Sequence, residues 1–227
     1  MLETFAIFQN ESNQKLAETL SKAGKLILLP QPKPCKIAIQ EIDIRSFHWL
    51  IFVDVISTEF FLEELKLRDF DFYELDYLQI GAAGEAIAER LRLEEIHCDI
   101  IAASNKLVDT ISGYVQQVQG LQFLIIAGKY ENQNLREALR KKDADVTEIQ
   151  IYEFKIEEDK KLTMLKTLIK GGGIDKLILA SPHEVVALKW LFKSDLHQAL
   201  AETRIFAMNE ITFLSLEEEG LNPEYWL

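Results

Sequence analysis

The stretch Leu78-Gln79-Ile80-Gly81-Ala82-Ala83-Gly84-Glu85-Ala86-Ile87-Ala88 decides how this chain reads. A short apolar run breaks at two glycines three apart and opens directly into helix-forming residues. That order spells a strand, a tight turn and a helix start, where unpaired N–H groups and the helix dipole suit an anion. A looser version recurs where Arg204-Ile205-Phe206-Ala207-Met208-Asn209-Glu210-Ile211-Thr212 leads into Phe213-Leu214-Ser215-Leu216. Two such turns, far apart in sequence, imply two α/β halves facing each other across a cleft.

Outward from that stretch, strand and helix signals alternate along the whole chain. Phe5 to Phe8 reads as a strand, Asn13 to Ala23 as a helix stopped by Gly24, and Lys25 to Leu29 as a second strand. Pro30-Gln31-Pro32-Lys33-Pro34 then holds three of the five prolines and reads as a linker kept out of sheet and helix. A second series follows: strand Trp49 to Val53, helix Ser57 to Lys66, strand Tyr77 to Ile80, a helix through Arg92, and strand Cys98 to Ile101. It continues with helix Asn105 to Val118, strand Phe123 to Ile126, helix Asn134 to Arg140 and the long alternating strand Val146 to Phe154. Helix Lys161 to Lys170 stops at Gly171-Gly172-Gly173. Strand Lys176 to Leu179, helix Pro182 to Phe192, strand Ile205 to Met208 and a helix ending near Gly220 complete the chain.

Strands alternating with helices of this length imply right-handed crossovers and mostly parallel sheets flanked by helices, an α/β fold. The middle series supplies about five strands and the two ends about four more. The expected organisation is therefore a discontinuous first lobe, residues 1–31 plus 155–227, with residues 36–150 inserted as a second lobe. Residues 32–35 and 151–154 form the two linker crossings, within the wider stretches Pro30 to Pro34 and Ile151 to Ile156.

Composition narrows the function. A formal charge of −12 argues against nonspecific nucleic-acid binding, which needs a basic surface. An anionic ligand would depend on local backbone donors and a few placed cations. No apolar run approaches the ~20 residues of a membrane span, and Met1-Leu2-Glu3-Thr4-Phe5 lacks the features of a signal peptide, so a cytoplasmic protein is expected. Cys35 and Cys98 imply no disulfide framework, and His48, His97, His183 and His197 lack metal-ligand spacing. No serine sits in a nucleophile elbow. If the chain is an enzyme, it works mainly by shaping and positioning its substrate.

Three local motifs bear on a site. Ser181-Pro182-His183-Glu184 is a helix start in which Ser181 caps, Pro182 takes the first helical position and Glu184 completes a capping box. It lies at a carboxyl end of a strand, where ligands of open α/β sheets sit. Gly81 and Gly84 either let an anion approach the backbone or only permit tight helix–strand packing. Tyr152, at the end of the alternating strand, is either a packing residue with a wet hydroxyl or a phenol able to bond a leaving group or act as an acid.

Taken in order, these pieces resemble the uroporphyrinogen-III synthase family over essentially the whole chain. Ile51-Phe52-Val53-Asp54-Val55-Ile56-Ser57 stands where that family has a strand ending in Phe-Thr-Ser before a helix, and Ile178-Leu179-Ala180-Ser181-Pro182 stands at its second occurrence. The family's Val-Gly-x-x-Thr-Ala turns are matched by Ile80-Gly81-Ala82-Ala83-Gly84-Glu85 and Met208-Asn209-Glu210-Ile211-Thr212-Phe213. Leu124-Ile125-Ile126-Ala127-Gly128 corresponds to a strand ending in Arg-Gly, and Ala144 to Tyr152 to a segment ending in the family tyrosine. The chain departs from the pattern at Phe8-Gln9-Asn10 for Thr-Arg-Pro, at Val53-Asp54 for Thr-Ser, at Gly84 for threonine, at Asn209 for glycine and at Ala127 for arginine.

The resemblance implies closure of the linear tetrapyrrole hydroxymethylbilane to uroporphyrinogen III, with inversion of the last ring and loss of water, in heme biosynthesis. Loss of the hydroxyl gives an azafulvene, and no cofactor or metal is needed. It implies two lobes joined by a two-stranded linker, with substrate carboxylates held by backbone amides at helix starts. Tyr152 takes the place of the tyrosine that assists hydroxyl loss, and Gly81, Gly84, Ser181, Pro182 and Thr212 line the cleft. Lys129 and Lys155 are candidates for carboxylate contacts. The resemblance also implies a monomer, and hydroxymethylbilane synthase is a candidate partner. The alternative is a non-catalytic two-lobed binding protein derived from the same fold, which the missing arginines and Asp54 favour.

Overall fold

A computed structural model describes residues 2–38, 42–103, 106–114, 118–129, 133–155 and 160–226. The chain begins with β1 (Thr4–Gln9), α1 (Gln14–Ala23), β2 (Lys25–Pro30), β3 (Lys33–Lys36), β4 (Trp49–Phe52) and α2 (Val55–Leu67). It continues with β5 (Gln79–Ala82), α3 (Glu85–Arg92), β6 (Ile100–Ile101), α4 (Leu107–Tyr114), β7 (Gln122–Gly128), α5 (Gln133–Arg140) and β8 (Asp145–Lys155). The last elements are α6 (Lys160–Lys170), β9 (Lys176–Leu179), α7 (Pro182–Phe192), α8 (Leu196–Ala199), β10 (Arg204–Ala207), α9 (Glu210–Glu218) and β11 (Pro223–Tyr225). Of the expected elements, Asn105, residues 115–117 and Ile156 lie outside the described residues.

Two compact units result. One comprises Met1–Lys33 with Phe154–Leu227, the other Pro34–Glu153. The first holds a five-stranded sheet in the order β11-β10-β9-β1-β2, with every neighbouring pair parallel. Phe5, Ile7, Leu20, Ile178 and Phe206 form its core, and Trp226 meets Phe5 and Phe206 edge to face. The second holds a six-stranded sheet in the order β3-β8-β7-β4-β5-β6, parallel from β8 through β6. Its centre is β4 and β7, whose Trp49-Leu50-Ile51-Phe52 and Phe123-Leu124-Ile125-Ile126 are buried throughout. Continuous apolar runs are what central parallel strands need, because helices cover both faces.

The structure corrects the reading of the proline segment. Pro30 closes β2 and Pro34 lies within β3, so neither is excluded from a sheet. Both strands are sheet edges, where a residue without an N–H costs no ladder hydrogen bond. Further short elements carry no sequence signal, among them α8, the three-residue β11 and the 3-10 turn Phe72–Tyr77. That turn shifts β5 to Gln79–Ala82, placing Gly81 inside the strand and not after it.

In the first unit, one buried carboxylate joins the ends of β1 and β9. Glu184 is 2% exposed. Its Oε1 accepts from the Asn10 and Asn13 amides at 2.7 and 2.8 Å, and its Oε2 accepts from the Ala180 N–H at 2.7 Å. The expected capping box is therefore not formed. Ser181 makes no side-chain cap bond, and Glu184 reaches past the Ser181 N–H to Ala180 because the two asparagines anchor its other oxygen.

Burial pushes the Glu184 carboxyl above the ordinary range, against the opposing pull of the Ala180, Asn10 and Asn13 donors. A carboxyl raised in the folded state contributes its full stability below the ordinary carboxylate range and loses it as pH rises through the raised value. As pH rises above the ordinary carboxylate value of about 4, wild-type unfolding free energy should therefore fall relative to that of Glu184→Gln. Paired urea titrations from about pH 4 upward check this, and a constant difference would show that Glu184 binds its proton equally well folded and unfolded.

Candidate functional site

The chemistry-bearing side chains gather at the carboxyl edges of the two sheets, where each parallel strand hands the chain to a helix. In the second unit, β4 ends at Asp54, which caps α2. Its Oδ1 accepts from the Ser57 N–H at 2.7 Å, and its carbonyl oxygen accepts from the Ser57 and Thr58 hydroxyls. The same Oδ1 accepts from the Tyr152 hydroxyl of β8 at 3.2 Å. Both partners are interior groups, Asp54 at 5% and Tyr152 at 1% exposure. A carboxylate so enclosed needs such donors, and the positive end of α2 adds to them.

Tyr152 fits because residue 128 is glycine. A Cβ there would stand 2.5 Å from Cζ of the Tyr152 ring and 2.8 Å from its hydroxyl oxygen. The β7–β8 register slips by one residue between Ala127 and Gly128, bringing Gly128 opposite Tyr152. Phe60 of α2 packs on the ring from another side. Lys129, the next residue, donates its N–H to the Tyr152 carbonyl, and its ammonium pairs with Glu153 at 2.9 Å. Lys155 is exposed at the end of β8.

On the neighbouring strand the two glycines do different work. Gly81 is buried within β5, with the tip of Ile51 standing 2.7 Å from where a Cβ would be, so its smallness serves packing. Gly84 precedes the first residue of α3 with φ of 128°, a conformation that L side chains rarely adopt, and offers no side-chain cap. The start of α3 therefore keeps its backbone donors without an internal acceptor from residue 84.

The first unit repeats this contrast. Asn209 caps α9, accepting from the Thr212 N–H and hydroxyl, both at 2.9 Å, while its amide donates to the Ala180 carbonyl at 2.7 Å. Thr212 is fully buried, and its hydroxyl donates to the Asn209 cap. Ser181 and Pro182 open α7 without a side-chain cap bond, and Ser181 is half-buried. Asp54, Asn209, Asn10 and Glu184 were thus missed as site-forming residues. The cap-forming identities of Asp54 and Asn209 before helical stretches were the available signal.

Other chemistry finds little footing. Burial, with the charge of Asp99, pushes the Cys98 thiol up to about 11, away from a reactive thiolate. Among the described residues no group of three or more His, Cys, Asp or Glu is placed to hold a metal ion. None of the described helices is long and apolar enough to cross a membrane. A groove of about 800 Å³ lies in the second unit among Phe70, Tyr73, Asp76, Gln79, His97 and Asp99, by the amino end of β5 and away from Asp54.

The sequence pattern of one family, described as uroporphyrinogen-III synthase HemD, matches residues 15–226. The chain belongs to the uroporphyrinogen-III synthase family. These are lyases of tetrapyrrole, and hence heme, biosynthesis. No curated protein matches the chain in a sequence search. Among solved structures it is similar to Thermus thermophilus uroporphyrinogen III synthase, at 19% identity over 98% of this chain and 92% of that one, with a TM-score of 0.69. A second structure of the Thermus thermophilus enzyme, in its wild-type form, gives 18% identity, 98% and 91% coverage and a TM-score of 0.68. At these identities the likeness establishes the shared fold, two-lobed with parallel sheets flanked by helices.

The packing of Tyr152 yields a direct test. Gly128→Ala must drive its methyl into the Tyr152 ring, and overpacking of this kind costs about 1–3 kcal/mol. Urea denaturation should show that loss. Unchanged stability would mean that the ring has room to retreat.

Proposed function

We propose that this chain closes hydroxymethylbilane to uroporphyrinogen III, with inversion of the last ring and loss of water. The match of the family pattern over residues 15–226 carries the reading. The starts of α3 and α7, at Gly84 and at Ser181-Pro182, have no side-chain cap of their own and take substrate carboxylates. Gly81 and Thr212 shape those two turns from within, and Lys155 adds an exposed cation. Lys129 meets a carboxylate only by exchanging Glu153 for it. Tyr152 assists departure of the hydroxyl, a contact that requires substrate to displace what covers the phenol. The enzyme is a cytoplasmic monomer, and the hydroxymethylbilane synthase that supplies its unstable substrate is its natural partner.

One observation favours a second reading. Tyr152 is buried and its proton is engaged by Asp54, as in a structural staple, which suits a non-catalytic binding protein on the same fold. A coupled assay separates the two. Hydroxymethylbilane is made in situ, and the uroporphyrinogen isomers are resolved after oxidation. Predominantly isomer III above the no-enzyme control supports the synthase, and kcat should then fall about tenfold or more in Tyr152→Phe. Isomer I alone, from folded protein, supports the binding protein. Unchanged kcat in Tyr152→Phe removes the phenol from the mechanism.

A further inference from the structure

The groove beside the amino end of β5 lies at the opposite edge of its sheet from Asp54 and Gly84, outside the site described above. Its floor is apolar, lined by the buried side chains of Leu75, Leu78, Ile80 and Ile96. Phe70, Phe72 and Tyr73 also line it, and their rings meet no other ring among the described residues. Tyr73 is 76% exposed. Tyr77 and Leu93, each next in sequence to lining residues, are 90% and 72% exposed. Exposed apolar and aromatic side chains gathered around a groove mark a surface that a protein covers.

The charge of the groove narrows the kind of protein. Asp71, Asp76, Glu95 and Asp99 line it, and among the described residues none of the four pairs with a lysine or arginine. Asp71 receives the Tyr73 N–H at 3.1 Å and Asp99 the Ile80 N–H at 2.7 Å, neutral donors that leave the charge uncompensated. Arg92, which also lines the groove, is engaged by Glu85 and Glu89, and Glu94 by Lys66 and Arg90. Among the described residues no three acidic or histidine side chains are placed to hold one metal ion, so the complementary charge is spread along a chain. Arginine answers both features, since a guanidinium stacks on an aromatic face and forks onto a carboxylate.

We propose that this groove docks an extended, arginine-bearing segment of a partner protein. The segment's apolar side chains rest on the floor at Leu75 and Ile96, and its guanidinium groups meet Tyr73, Asp76 and Glu95. Docking at the amino edge asks nothing of the chemistry at the carboxyl edge, and it stands whether or not the chain is a synthase.

The test is a blocked nonapeptide of alternating arginine and leucine, titrated into the 15N-labelled full chain at about 150 mM salt. Amide shifts should concentrate in residues 70–79 and 92–99. Asp76→Asn with Glu95→Gln should weaken binding about tenfold, and Tyr73→Ala about threefold to tenfold. All three side chains are exposed, so these variants should melt near wild type. Glu11→Gln with Glu18→Gln removes the same charge from exposed positions of the first unit and should change binding less than about twofold. A peptide with lysine for each arginine should bind about threefold weaker or worse. Shifts scattered over the acidic surface, equal weakening by the two double variants, or equal affinity for the lysine peptide would show attraction to net charge alone and overturn the proposal. Single arginine amide binding the same residues as tightly as the peptide would make this a small-cation site. A dimer of the chain abolished by Asp76→Asn with Glu95→Gln would make the occupant a second copy. Either result overturns the proposal, as does absence of binding.

Discussion

A parallel strand cannot return through a hairpin, and this constraint organises everything else in the chain. Each strand of β4, β5, β9 and β10 must pass into a helix at the same edge of its sheet, so helix starts and their unpaired N–H groups collect there. Those donors have to be answered by side chains, by water or by a ligand. The way each start is answered separates structural turns from turns able to receive an anion. In the second unit α2 is closed from inside by Asp54, while α3 lacks a side-chain cap. In the first unit α9 is closed by Asn209, while α7 lacks one.

That division bears on how an acidic protein can hold a polycarboxylate. With a formal charge of −12 the overall field opposes such a ligand. Lys129 is tied to Glu153. Backbone N–H groups at a helix start carry only partial charge, but they are fixed in direction and need no reorganisation to receive an oxygen. On the proposed reading, uncapped starts supply local affinity where the net charge does not. The two arginine positions of the family pattern, occupied here by Gln9 and Ala127, leave more of that task to the backbone.

The elements most legible in the sequence were those whose signals are local. Pro182 at the first helical position and the apolar period behind it give α7 as Pro182–Phe192, the span the structure shows. Continuous apolar runs likewise give β4, β7 and β9. Two of the edge strands, β3 and β11, were not legible, because they are short, carry prolines and are ordered by a partner strand instead of by their own pattern. The long-range polar contacts left no trace at all. Tyr152 is 98 residues from Asp54, and Glu184 is 171 from Asn13. Nothing in the local order of either segment marks the other as its partner.

Asp54 shows how a fold held in common leaves local chemistry open. A carboxylate in place of a hydroxyl keeps the cap, since either group accepts from the helix N–H, but it brings a full charge into the interior. Such a charge is stabilised only where donors face it, and the Ser57 N–H and the Tyr152 hydroxyl are two of them, at the positive end of α2. The phenol can reach it only because Gly128 carries no side chain, at a point where the strand register slips. A change at residue 54 is thus coupled to residues 128 and 152 by sterics and charge together. Strand order and helix placement depend on none of the three, which is why the fold matches at 19% identity while the proton of one phenol points inward.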